Sequence, residues 1–140
     1  MTGSEAIEVL KNMLGEDDRE DEAIDTWLYI LQLDSTHMQS LNELERLYEG
    51  QQRWEEVVRT LNAKSEVLPE LEDKVKLQKQ IAEIWELNCG NVDRAAQAYQ
   101  RILELDPSRD EAFTMLEDLY TNHERWQDLL SAYVERSEVV

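Results

Sequence analysis

Cys89 is the only cysteine, so no disulfide framework and no cysteine zinc cluster can form within one copy of the chain. That usage fits a reducing compartment, and the expected location is the cytoplasm. Glycine (4), proline (2) and phenylalanine (1) are scarce in 140 residues, which leaves no glycine-rich phosphate loop and little turn punctuation. β-Branched runs bounded by turn residues are missing, so no sheet is expected. Basic residues are few as well: 14 Lys and Arg stand against 32 Asp and Glu, for a net charge of -18. Such a surface repels phosphate backbones and anionic lipid, arguing against nucleic-acid and membrane partners. The opening segment MTGSEAIEVLKNMLGEDD has neither the basic start nor the continuous apolar core of a secretory signal. No apolar run approaches the roughly 20 residues of a membrane-spanning helix.

Leu, Glu, Ala and Gln, all good helix formers, dominate what is present. The expectation is an all-α protein, and the length suits one repeat domain over residues 1–140. A repeat is visible. Residues 22–68 align with 94–140 at an offset of 72 without a gap, pairing Ile30 with Ile102, Leu33 with Leu105 and Asp34 with Asp106. Further along, Leu44 meets Leu116, Glu45 meets Glu117, Tyr48 meets Tyr120, Arg53 meets Arg125 and Trp54 meets Trp126. In 95–105 the residues Ala95, Tyr99, Ile102 and Leu103 form the i, i+4, i+7, i+8 stripe of an amphipathic helix, and Pro107 stops it. Phe113, Leu116, Leu119 and Tyr120 line one face of the next helix; Trp126, Leu129, Leu130, Tyr133 and Val134 line one face of the last.

These stripes predict helices near 4–14, 20–33, 37–49, 53–68, 71–88, 92–105, 109–121 and 125–138, grouped as hairpins 4–33, 37–68, 71–105 and 109–138. Asp34-Ser35 and Asp106-Pro107-Ser108 supply turn chemistry, Pro69 follows the fourth helix, and Gly90-Asn91 separates the fifth from the sixth. The connection GEDDREDE in the first hairpin is longer and more acidic than the others.

The segment AAQAYQRILELDP (95–107) resembles the second helix of a tetratricopeptide repeat, with Ala95, Tyr99, Ile102 and Pro107 in the characteristic places. IAEIWELNCGN (81–91) resembles the matching first helix, through Ala82 and Trp85, although one extra residue precedes Gly90. Segments 41–54 and 113–126 resemble first helices too, but Glu45 and Glu117 sit where a small residue is typical. The 72-residue unit holds two hairpins of about 34 residues, the tetratricopeptide period, with a few loop residues added. Alternation of typical and Trp-containing hairpins is similar to the arrays of long bacterial tetratricopeptide proteins. The resemblance implies a right-handed superhelical solenoid of about four antiparallel helix hairpins, acting as a protein–protein interaction scaffold that presents a concave helical surface to a partner peptide or helix. A structural spacer or self-assembly segment of a larger repeat protein is the alternative.

On that resemblance the concave face is formed by first-helix residues displaced from the packing stripe: Gln39, Asn42 and Arg46, then Lys76, Lys79 and Glu83, then Glu111, Thr114 and Asp118. Some relatives in the family grip a carboxylate with Lys, Asn and Arg at such places; here Glu83 and Asp118 intrude, so a basic or mixed-charge protein segment is the expected partner. Val140 aligns with Leu68, after which another helix begins in the first copy, so the chain reads as a portion of a longer array whose last helix exposes an apolar patch prone to self-association.

Catalytic groups are sparse. There are two histidines, no H-E-x-x-H motif, and no second Cys or His beside Cys89. His37 and His123 read as exposed polar residues near helix ends, and Cys89 as a half-buried small residue. Asp17-Asp18 lack the alternating oxygen ligands and turn glycine of a calcium loop. No catalytic residue, metal or cofactor is expected, and the chain does not read as an enzyme. Trp27, Trp54, Trp85 and Trp126 are all expected in the core.

Overall fold

A computed structural model describes residues 2–14 and 20–139. The chain divides into two compact units, Met1–Leu68 and Pro69–Val140, which meet where the sequence ends its second hairpin and begins its third. Among the described residues there are helices and no strands, as the composition implies. Each predicted helix is found to within one residue at either end, the one expected over 71–88 as an α-helix to Glu83 continued by a π turn. Most of the acidic connection of the first hairpin, including Asp17-Asp18, lies outside the described residues, as does Val140.

The first unit contains α1 (Gly3–Leu14), α2 (Glu20–Leu33), α3 (Met38–Gly50) and α4 (Trp54–Val67). Asp34 ends α2 by local chemistry: its carboxylate accepts from the Thr36 N–H at 3.0 Å and the Thr36 hydroxyl at 2.8 Å. These bonds hold the Asp34 carboxyl below its ordinary pKa. His37 is half-buried and not merely exposed, because it caps α3, its Nδ1 accepting from the Ser40 N–H at 3.3 Å. At the other end of α3, Gln51 donates to Glu20 at 3.1 Å and Asp21 at 3.3 Å, so the end of α3 meets the start of α2 and the two helices run antiparallel. Ile24, Trp27, Ile30, Leu41, Leu44 and Leu61 are buried between neighbouring helices. Glu45 of α3 pairs with Lys64 Nζ of α4 at 2.7 Å.

The second unit contains α5 (Leu71–Glu83), which runs directly into a π-helical turn over Ile84–Asn88, followed by α6 (Val92–Leu105), α7 (Asp110–Asn122) and α8 (Trp126–Val139). The π turn lies just before Gly90, where the resemblance to a tetratricopeptide first helix counts one residue more than its usual spacing. Cys89 donates its N–H to Ile84 O five residues back at 3.1 Å, and Asn91 donates to Trp85 O at 2.7 Å across Gly90, whose φ is +62°. The helix gains a residue without losing its cap, and Asn91 then caps α6 by accepting from the Arg94 N–H at 3.0 Å. This arrangement corrects the reading of Cys89: sitting at the end of the widened turn, it is exposed. Trp85, Tyr99, Ile102, Leu116 and Leu119 are buried, and Ala82 and Ala112 are the small side chains at the contacts.

The tryptophans do not behave alike. Trp27 and Trp85 are in the core and Trp54 is half-buried, but Trp126 is 56% exposed. Within its unit α8 packs against α7 alone, so only one side of its apolar stripe is covered. The stripe was read correctly and its burial was not.

Candidate functional site

The expected binding residues of the second unit lie on α5 and α7, and side-chain bridges set those helices in register. Arg109, just before α7, pairs with Glu72 in the first turn of α5. Lys79 Nζ pairs with Glu111 at 2.5 Å, and His123 Nε2 meets Glu86 at 2.9 Å just past the end of α7. The Glu72–Arg109 pair joins start to start and the Glu86–His123 pair end to end, so α5 and α7 are parallel, with Lys79 reaching back to the start of α7 and α6 packed against both. The bond to Arg109 holds the Glu72 carboxyl below its ordinary pKa and the guanidinium above its own.

Lys76, Glu83, Glu111, Thr114 and Asp118 are exposed as expected, and Lys79 is half-buried. Their states differ. Lys79 and Glu111 neutralise each other, and the Thr114 hydroxyl donates back to Asp110 O at 3.1 Å. Glu83 and Asp118, on different helices, both act with Glu86 through their charges on the phenol of Tyr99 in α6. Burial raises the Tyr99 pKa most, and the charges of Glu86, Glu83 and Asp118 raise it further. The charges of three carboxylates thus act on one buried tyrosine, and negative potential there favours a cationic group.

In the first unit Gln39, Asn42 and Arg46 are exposed along α3. Arg46 is engaged within its own helix by Glu43 at 2.8 Å. Lys79 and Arg46 are thus both neutralised by neighbouring carboxylates.

Sequence reasoning missed Glu86, Tyr99 and His123 as members of this surface. A signal existed: Glu72 and Arg109 are 37 residues apart, and so are Glu86 and His123, each an acid and a basic partner at the same separation. Among the described residues no three His, Cys, Asp or Glu side chains cluster as they would around a metal ion, and no helix is long and apolar enough to cross a membrane. No family model matches the chain, and no curated protein sequence matches it.

Proposed function

We propose that the chain is a protein-interaction scaffold of tetratricopeptide-like hairpins, a right-handed superhelical repeat domain acting in the cytoplasm without a catalytic step, metal or cofactor. The partner is a peptide or helix of basic or mixed charge, taken up on the face of α5 and α7. One observation carries this reading: Lys79, a cation of this face, is neutralised by Glu111, while the charges of Glu83, Glu86 and Asp118 all act on Tyr99. Nucleic acid and anionic membrane are disfavoured by the net charge of -18.

Affinity capture with the folded protein, repeated at high salt and with a Glu83→Gln/Asp118→Asn variant, tests it. Raising ionic strength from 0.1 to 1 M shortens screening from about 10 Å to about 3 Å, so a charge-steered complex should be depleted in both arms. Capture that is indifferent to salt and to the variant would remove the electrostatic part. A second reading, self-assembly within a longer array, is favoured by the stripe on α8, where Trp126, Leu130 (64%), Tyr133 (45%) and Val134 (52%) are all exposed. Light scattering over a range of concentrations separates the two, since the scaffold reading does not require a mass increase.

A further inference from the structure

We propose that the second unit holds another binding site, a groove built by α6, α7 and α8 that receives the apolar side chains of a basic amphipathic helix. It uses none of the residues on the face of α5 and α7 and stands independently of the role proposed for them.

The groove has a volume of about 380 Å³, toward the lower end of the roughly 300–1,000 Å³ usual for ligand pockets. Its floor is apolar: Leu103 of α6, Phe113 and Leu116 of α7, and Ala132 of α8. Glu104 and Glu135 stand at its rim, both exposed and without an ion-pair partner among the described residues. The one cation in the lining, Arg136, is already used. Its guanidinium donates to Pro107 O at 2.8 Å and to the Asp110 carboxylate, and it lies over the Phe113 ring at 5.1 Å. An apolar floor flanked by two uncompensated carboxylates is complementary to apolar side chains flanked by Lys or Arg. A helix laid between helices offers such side chains at spacings of three and four residues.

The internal repeat supplies a control. Seventy-two residues earlier, Gln32 and Ala63 occupy the places of Glu104 and Glu135, and the place of Phe113 is taken by Leu41, which is only 2% exposed. The cation at the position of Arg136 is Lys64, which turns to Glu45 instead. The repeat architecture therefore does not demand an acidic rim or an accessible aromatic floor; both belong to the second unit.

The test is a fluorescence-anisotropy titration of the whole chain with a short labelled helical peptide, Leu at helical spacing and Lys elsewhere, together with amide chemical-shift mapping. Two control peptides replace Lys by Glu or Leu by Ser. We expect the Leu/Lys peptide to bind, with shifts centred on Leu103, Phe113, Leu116 and Ala132, and both controls to bind far more weakly. Glu104→Gln/Glu135→Gln, at exposed positions, should weaken binding about fivefold, as losing two exposed ion pairs does, with the helical circular dichroism unchanged. Glu83→Gln/Asp118→Asn should leave this binding unchanged, which separates the groove from the face of α5 and α7. The inference is overturned by no binding at millimolar peptide, by equal binding of either control, by shifts confined to α5 and α7, or by an unaltered affinity in the Glu104/Glu135 variant.

Discussion

The hairpins α3–α4 and α7–α8 have the same Leu, Glu, Tyr, Arg and Trp at matching places, yet their shared glutamate takes different partners. In the first, Glu45 pairs with Lys64 and the intervening Leu61 is fully buried. In the second, Tyr133 stands where Leu61 does, and its hydroxyl donates to Glu117 at 2.5 Å. That bond, more than burial, raises the Tyr133 pKa. Arg136, at the place of Lys64, bonds the start of α7 instead and stacks on Phe113. The exchange of Leu61 for Tyr133, together with Leu41 for Phe113 and Lys64 for Arg136, accompanies a rewired ion pair and an open groove. Closely similar local sequences thus have different surfaces, because a polar atom carried toward a contact must find a partner and displaces the one already there.

The largest effect that would break this comparison is expected at that pair of positions. Leu61→Ala should lower stability by about 2–5 kcal/mol, the usual cost of emptying a core leucine site, whereas Tyr133→Ala should leave the urea midpoint nearly unchanged. Equal losses would mean that the two hairpins bury this position alike. Next in size is Lys64→Met. It strands Glu45 in a setting where both side chains are largely shielded, and about 1–3 kcal/mol should be lost. If midpoints for Lys64→Met and wild type coincide, the pair is not a determinant of the first hairpin.

Smaller changes should appear equally in both hairpins and so sharpen what they share. Gln52 and Glu124 occupy matching places with φ of 58° and 56°, a left-handed conformation that favours glycine and that Gly90 fills after α5. Gln52→Gly and Glu124→Gly should each stabilise by about 0.5–1 kcal/mol, read as a higher urea midpoint. A lower midpoint for either would show that its side chain contributes more than its backbone costs. The smallest expected effect is confined to acid pH. Asp34 and Asp106 both have folded pKa values held below the ordinary 3.8, first by a side-chain bond to Thr36 or Ser108. Their stabilisation is complete above the unfolded-state pKa and is lost as pH falls through the lower folded value. Asp34→Asn and Asp106→Asn should flatten the acid limb of stability below about pH 4. An unchanged limb would mean that these turns do not depend on ionised carboxylates.

Much of the fold was legible because the signals are local. The helix ends at Asp34 and Asp106 follow from a carboxylate two residues before a Thr or Ser hydroxyl, and the stripe spacing located every helix to within a residue. The site was legible in part. Lys76, Glu83, Glu111, Thr114 and Asp118 are exposed as read, but which of them act together was not visible, since Glu83 and Asp118 are linked through their charges on Tyr99 of a third helix.

By itself the sequence determined where helices start and stop and which side of each is apolar, because capping, turn formation and a 3.6-residue period depend on residues within one or two turns of one another. Only the tertiary structure decided which apolar sides are covered, leaving Trp126 in water and Trp85 in the core. It also decided that the residues before Gly90 form a π turn, and that Arg136 bonds the start of α7 while Glu104 and Glu135 stand at a groove without an ion-pair partner among the described residues. Burial and ion pairing depend on surfaces brought together from distant parts of the chain, and the spacing within a single helix carries no record of what packs against it.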